Sequence, residues 1–135
     1  MSSTLQRRLR FDRAEVEQSP GGGCTVTVTL SFGQRVIEGS ATDDGSSGGT
    51  PRVAAAAALK AVEKAVANRF SCALADVDRV TALGKDLIAV LVDVTFEGRD
   101  VQVFGSCQIS GSEVDAAVKS SLNATNRFFE LSMRE

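Results

Sequence analysis

Two segments of the sequence share one pattern, and this repetition constrains the fold more than any other feature. The segment TVTVTLSFGQRVIEGS at 25–40 alternates apolar and small polar residues and then passes through a glycine into a second β-rich run. The segment VLVDVTFEGRDVQVFGS at 90–106 does the same. Since successive side chains of a strand point to opposite faces, each segment predicts a β-hairpin with one apolar face.

A further strand is expected before each hairpin. The run FDRAEV at 11–16 precedes the first hairpin, and the run ADVDRV at 75–80 precedes the second. Ten residues separate the valine that ends each run from the aligned valine of its hairpin. This spacing predicts that Val28 and Val92 are equivalent residues facing the core.

A helix is expected after each hairpin. Thr50 as N-cap and Pro51 at the first position predict the start of an Ala-rich helix that includes 53–68. Ser112 and Asp115 form a plausible capping box for a second helix. Both helices are expected to end in the same tripeptide, NRF.

The predicted architecture is α+β, a β-β-β-α unit that occurs twice. The chain of 135 residues is long enough for one core, so a single domain at 1–135 is expected, with pseudo-repeats at about 8–70 and 73–131. Two three-stranded units would form a mostly antiparallel sheet of about six strands, with both helices packed on one face about a pseudo-two-fold axis. The open edges of such a sheet favour a homodimer.

The charge of the chain argues against a general polyanion-binding protein. Fifteen basic and seventeen acidic residues give a net charge of −2. The one basic run consists of Arg7, Arg8 and Arg10, and it has no interleaved aromatic residue, so we interpret it as a solvated edge. Nucleic acid is not expected as a partner.

The cysteines and the missing residue types indicate a cytoplasmic protein without catalytic or metal chemistry. Cys24, Cys72 and Cys107 share no CxxC spacing, and the chain has no His to complete a metal site. No apolar run has the length of a signal peptide core or a membrane span. Because His, Trp and Tyr are absent, we expect no catalytic residue and no cofactor.

The segment GSATDDGSSGGT at 39–50 has the most unusual composition and leads into a helix N-terminus, where free N–H groups favour an anion. No Lys follows the glycines, so it is no Walker motif, and its two Asp residues suit an ammonium group better than a phosphate. The counterpart loop at 105–115 also ends at a helix start. Both loops also fit a second reading, as simple connectors. The candidate ligand-binding residues are Gly39, Asp43, Asp44, Gly45, Thr50, Gly111 and Ser112.

These loops resemble the C-terminal allosteric domain of the isopropylmalate and citramalate synthase family, whose two β-β-β-α units carry a turn of the type G-x-A-x-G-D-G-P-V-D-A. The first part of that pattern is matched by Gly39, Ala41, Asp44 and Gly45, and its end by Gly111, Val114, Asp115 and Ala116. The first copy departs from the pattern by the inserted residues 46–50. The resemblance implies a dimerising regulatory domain that binds a branched amino-acid-like effector between its loops.

Three strands followed by an Ala-rich helix are also similar to the double-stranded RNA-binding domain. That family contacts phosphates with several Lys residues at the helix start. Here the equivalent stretch offers only Arg52 and Lys60 beside two Asp residues, so the electrostatics argue against RNA.

The sequence therefore predicts a small ligand-binding or regulatory module that is not an enzyme and that takes a small polar metabolite. The alternative is a structural or protein-interaction module without such a ligand. Its contact surface would be a sheet edge or the Thr-rich strand face of Thr25, Thr27 and Thr29.

Overall fold

The computed structural model describes residues 9–43 and 49–133, which form six strands and two helices. The strands are Arg10–Gln18 (β1), Cys24–Phe32 (β2), Arg35–Asp43 (β3), Phe70–Ala82 (β4), Lys85–Phe96 (β5) and Arg99–Gln108 (β6). The helices are Gly49–Ala65 (α1) and Glu113–Met133 (α2). The order is β-β-β-α twice, which confirms the predicted α+β class and the duplicated unit.

The six strands form two antiparallel three-stranded sheets, with β2 central in the first and β5 central in the second. In the described part of the chain no strand pairing joins the sheets, whereas the sequence indicated a single joined sheet. The helices connect them, because α1 packs on β2 and β3, α2 packs on β5 and β6, and the helices pack on each other. One edge of the second sheet is taken up by α1, since the Cys72 amide of β4 donates to the Glu63 carboxylate of α1 at 2.8 Å.

Small residues allow this close packing of the helices. Alanine supplies most of the buried residues of α1, which is buried on most of its circumference. In α2 the fully buried Ser120 and Ser121 donate their hydroxyl protons to the carbonyl oxygens one turn earlier, at 2.7 and 3.0 Å. Each buried hydroxyl is thereby satisfied inside the helix, so neighbouring elements approach it without an unpaired polar group.

A β-bulge marks the same point in each unit. In β1 the register shifts just after Phe11, which lies opposite Leu30. In β4 it shifts just after Leu74, which lies opposite Val92. The bulges therefore make Leu30 the counterpart of Val92.

A glycine in the third strand of each unit gives the same alignment. Gly39 pairs with Val28, and Gly105 pairs with Val90. Both glycines lie directly against the backbone of the helix of their own unit. Val28 therefore corresponds to Val90. The predicted alignment of Val28 with Val92 is off by two residues, although all three valines face the core with at most 1 % of their surface exposed.

The shift arises because the second hairpin is longer by two residue pairs. Strands β5 and β6 form five residue pairs between Val92 and their turn, counting the pair of Val92 itself. Strands β2 and β3 form only three between Leu30 and their turn, counted in the same way. The extra length carries Phe96 into an aromatic cluster, where its ring centroid lies 6.3 Å from that of Phe70 and 5.7 Å from that of Phe128. The additional pairs therefore contribute to the core.

The tripeptide NRF ends the first helix region but not the second, so this prediction is half wrong. After α1 the chain reverses through Ala67 and Asn68, both at positive φ (52° and 62°), and Phe70 begins β4. The second tripeptide, 126–128, lies inside α2, which continues to Met133. Within the described residues α2 is the last element, and its last turns cover the core with Phe129.

Neither helix in the described residues combines the length and the apolar character that a bilayer-crossing helix requires.

Candidate functional site

A groove of about 280 Å³ opens where β3 ends and α1 begins. Strand β4 of the other unit closes one side of it. The lining residues are Ala41, Thr42, Asp43, Arg52, Val53, Ala56 and Leu74. The groove thus lies at the strand-to-helix junction whose composition first indicated a ligand site.

The groove carries one acidic and one basic side chain. Asp43 is the last residue of β3, where it pairs with Cys24 in the antiparallel ladder. Arg52 lies in the first turn of α1, and its guanidinium is 3.7 Å from the Asp76 carboxylate of β4. The side chain of Asp76 is 72 % exposed, so this ion pair is accessible to water and contributes at most about 1 kcal/mol to stability.

The remaining wall of the groove is largely apolar. Val53 and Ala56 are three residues apart on α1 and therefore share one face of the helix. Leu74 faces them from β4, and Ala41 contributes a methyl group from β3. The arrangement offers a cation and an anion at the helix start beside a small aliphatic surface.

Of the predicted site residues of the first loop, one lines the groove and others do not. Asp43 lines the groove, whereas Asp44 and Gly45 lie outside the described residues. Thr50 is the second residue of α1, and its hydroxyl lies 4.0 Å from the Cys24 thiol. Gly39 does not line the groove, because it faces the backbone of α1 at Ala57 and Ala61.

The predicted residues of the second loop belong to the start of α2. The hydroxyl of Ser112 accepts a hydrogen bond from the Asp115 amide at 3.1 Å, so the predicted N-cap is present. Gly111 is exposed and adopts a φ of 94°, which favours glycine. None of the residues lining the groove comes from this loop.

Sequence reasoning missed part of this site. Arg52 directly follows the predicted helix start, so its position in the first turn of α1 could have identified it as a candidate site residue. No pattern in the sequence indicated that Leu74 lines the groove, since its position depends on β4 of the second unit lying along α1 of the first.

A second cluster of charges holds the start of α2 against the second sheet. The guanidinium of Arg79 donates to the Glu113 carboxylate of α2 and, at 3.2 Å, to the Asp86 carboxylate. The Thr81 hydroxyl donates to the same Asp86 at 2.8 Å, and these two hydrogen bonds lower the pKa of Asp86. The cluster is exposed, and its one guanidinium lies between two carboxylates, so it leaves one negative charge in excess and links α2 to the second sheet. In the described ranges, no group of three or more His, Cys, Asp or Glu is placed to bind a metal ion.

The sequence was compared with known proteins in two ways. Models of known protein families give no match to the chain, and neither do curated protein sequences. The resemblance to the synthase regulatory domain therefore rests on the loop residues and on the order of elements. The chemistry of the groove is the remaining basis for a function.

Proposed function

We propose that the chain is a small ligand-binding or regulatory module whose groove holds an amino-acid-like metabolite. The observation that carries the proposal is the presence of Asp43 and Arg52 in one groove that is otherwise largely apolar. An amino acid offers the complementary groups, a carboxylate, an ammonium and a side chain, on one small molecule.

Each group of the ligand has a counterpart in the groove. The Arg52 guanidinium presents paired N–H donors to the ligand carboxylate, a geometry that Lys does not provide. The Asp43 carboxylate accepts hydrogen bonds from the ammonium group. A short aliphatic side chain packs against Val53, Ala56 and Leu74, and the N–H groups at the start of α1 add to the attraction for the carboxylate.

The size of the groove supports a small ligand. Pockets for drug-sized ligands have volumes of about 300–1,000 Å³, and this groove of about 280 Å³ falls just below that range. A branched aliphatic amino acid fits such a volume, whereas a dinucleotide does not.

The proposal includes a homodimer, a cytoplasmic location and the absence of catalysis. Each sheet leaves its outer strands without a neighbouring strand in the described structure, and such edges can pair with a second copy. Cys24, Cys72 and Cys107 are all free thiols, which is typical of proteins in a reducing compartment. The proposed role is recognition, because the groove places a cation and an anion beside a small aliphatic surface.

Thermal unfolding with added amino acids tests the proposal. Leucine, isoleucine and valine are added at millimolar concentration, beside the corresponding 2-oxo acids and alkyl amines, which each lack one charged group. We expect an amino acid to stabilise the protein, by about 2.7 kcal/mol at one hundred times its Kd. The 2-oxo acids and amines should stabilise it less.

Variants of the groove locate the binding site. Arg52→Met and Asp43→Asn should each abolish the stabilisation, while Lys60→Met should retain it, because Lys60 is an exposed cation of α1 outside the groove. If no amino acid stabilises the folded wild type, or if Arg52→Met responds like the wild type, the proposed ligand site is wrong.

The alternative is a protein-interaction module without a small ligand. The surface that favours it is not the Thr-rich strand face that the sequence indicated. The hydroxyl groups of the Thr-rich face pair within the first sheet, Thr25 with Thr42 at 3.0 Å and Thr27 with Ser40 at 2.9 Å. An exposed apolar face is found on the second sheet instead. A stable partner that copurifies with the chain, together with an unaltered phenotype of Asp43→Asn, would favour this alternative.

A further inference from the structure

The second sheet has a face that points away from the helices and carries apolar residues at its centre. We call this the outer face and define it by Asp76, Asp78, Val80, Leu87, Ala89, Leu91, Asp93 and Phe104. The inner face of the same sheet carries the core residues Ile88, Val90, Val92 and Val94, which alternate with those of the outer face along β5.

Phe104 is the largest apolar group of the outer face, and 66 % of its surface is exposed. It pairs with Leu91 across β5 and β6, and Val80 on β4 is 37 % exposed. A groove of about 230 Å³ runs over the small residue Ala89, with the Phe104 ring among its lining residues and the carboxylates of β4 among the others. The surface therefore has the depression and the aromatic group that are typical of an interface anchor site.

The first sheet is an internal control, because it has the same fold but no apolar centre on its outer face. Glu38 precedes Gly39 as Phe104 precedes Gly105, and Glu38 pairs with Thr29 as Phe104 pairs with Leu91. The outward residues of β2 are Thr and Ser, whereas those of the equivalent part of β5 are Leu and Ala. A unit of this fold is thus built with a polar outer face, so the apolar residues of the second unit are not a requirement of folding.

The apolar centre is bordered by negative charge. Asp76 and Asp78 lie two residues apart on β4, opposite Leu91 and Ala89, and Asp93 follows Leu91 on β5. Along all three strands this face carries four Asp residues (Asp76, Asp78, Asp93 and Asp100) and one cation, Lys85, while Arg52 of α1 lies 3.7 Å from the Asp76 carboxylate, so carboxylates are in excess. A partner that covers the face must therefore bring cations together with apolar side chains.

We propose that the outer face binds a segment of a partner protein in which apolar side chains alternate with Lys or Arg. In an extended segment the apolar side chains cover Phe104, Leu91 and Ala89, and the cations start from the opposite side of the segment, so their long flexible stems are what let the charged groups reach the carboxylates at the border. A second copy of this chain fits less well. An isologous contact places the same face on both sides, which doubles the excess of carboxylates over cations.

A labelled heptapeptide with the sequence KLKLKLK tests the proposal by fluorescence anisotropy. The control peptides ELELELE and KSKSKSK separate the charge from the apolar contribution, and both should bind more weakly. Binding of KLKLKLK should weaken as salt is added, because part of the attraction is electrostatic. None of the three peptides is a free amino acid, and Phe104 does not line the groove between β3 and α1, so a loss of peptide binding on replacing Phe104 reports on the outer face.

The decisive variant is Phe104→Glu, which installs the residue that the first unit has at the equivalent place. It should retain the thermal stability of the wild type and weaken peptide binding by about thirtyfold or more, a loss typical of removing a central aromatic anchor. Asp78→Asn should make peptide binding less dependent on salt concentration, because it removes one of the carboxylates that attract the peptide. Val36→Ser is the matched control, since Val36 is 68 % exposed on the first sheet and its removal should leave binding unchanged.

Two results would overturn the proposal. One is equal binding of KLKLKLK to the wild type and to Phe104→Glu, since the peptide would then bind elsewhere. The other is a wild-type dimer that Phe104→Glu converts to a monomer in sedimentation analysis, since a second copy would then be the occupant. If Phe104→Glu fails to fold, Leu91→Thr serves in both measurements, because Thr29 occupies that position in the first unit.

Discussion

Gly39 and Gly105 have the same structural relationship to their helices, each lying where the third strand of a unit meets a helix backbone. A Cβ atom at residue 39 would overlap the carbonyl oxygen of Ala57 and the amide nitrogen of Ala61. A Cβ atom at residue 105 would overlap the corresponding backbone atoms of Ser120 and Ala124. The sequence predicted Gly39 as a ligand-site residue and Gly105 as the first residue of the counterpart loop, whereas their closeness to the helix gives both a role in packing.

Replacing either glycine with alanine should destabilise the protein. Gly39→Ala and Gly105→Ala insert a methyl group against helix backbone that has no flexible side chain to move aside, so we expect a loss of about 1–3 kcal/mol each. Urea denaturation measures it. Gly21→Ala is the matched control, because no atom lies within 4 Å of the new methyl group, and its stability should change by less than about 0.5 kcal/mol. Equal stability of Gly39→Ala and Gly21→Ala would contradict the close approach.

The two faces of β2 should respond differently to an introduced charge. Val28 is fully buried, so Val28→Asp places an unpaired carboxylate in the core, at a cost of several kcal/mol against a total stability of about 5–15 kcal/mol. Thr27 is half-buried on the other face, and Thr27→Asp should cost about 1 kcal/mol. Circular dichroism of the two variants checks this. A folded Val28→Asp protein would mean that this strand faces solvent where we find the core.

Cys72 makes the stability of the protein fall at high pH. Burial, with a smaller contribution from the Glu63 carboxylate, raises the pKa of Cys72 from 9.0 to about 12. Between these values the unfolded chain loses the thiol proton and the folded protein keeps it. The free energy of unfolding should therefore decrease from about pH 9 upwards, by at most about 1.4 kcal/mol per pH unit.

The comparison with Cys72→Ala isolates this effect, since the lysines titrate alike in both proteins. The free energy of unfolding, measured at several pH values between 8 and 11, should decrease more steeply with pH for the wild type than for Cys72→Ala. Parallel pH profiles of the two proteins would show that the thiol is exposed.

Asp76 should compete with the proposed ligand for Arg52. Its carboxylate lies 3.7 Å from the guanidinium that we assign to the ligand carboxylate. Asp76→Asn removes that competing charge, so we expect tighter amino-acid binding, by about threefold to tenfold if the pair is worth the roughly 1 kcal/mol of an exposed ion pair. Isothermal titration of the wild type and Asp76→Asn measures the ratio. Weaker binding by Asp76→Asn would place the ligand carboxylate away from Arg52.

The predictions from sequence were successful where a pattern repeats within a few residues. Alternation at Val26, Val28 and Leu30 correctly predicted the inner face of β2, and the Ala-rich run correctly predicted α1. Ser112 was correctly identified as the cap of α2, because capping depends on residues three positions apart. These features are determined locally.

The features that could not be predicted depend on contacts between distant segments. The correspondence of Leu30 with Val92 became visible through the bulges and through the pairing of Gly39 and Gly105, since a sequence alignment without gaps matches the hairpin turns instead. The position of Leu74 in the groove follows from how β4 lies along α1, which no local pattern encodes. Asp43 was found from composition and Arg52 was not, because the two residues belong to different elements, the end of β3 and the first turn of α1.

The unequal lengths of the two hairpins show what a longer hairpin adds to the core. Side chains alternate with a period of two, so β5 extended by one residue beyond Val94 would end on Thr95, which faces away from the core. An extension by two residues preserves the alternation and lengthens the core toward Phe70 and Phe128. A hairpin of this kind therefore gains a core-facing residue on its central strand only with every second pair that is added at its turn, and in β5 that residue is Phe96.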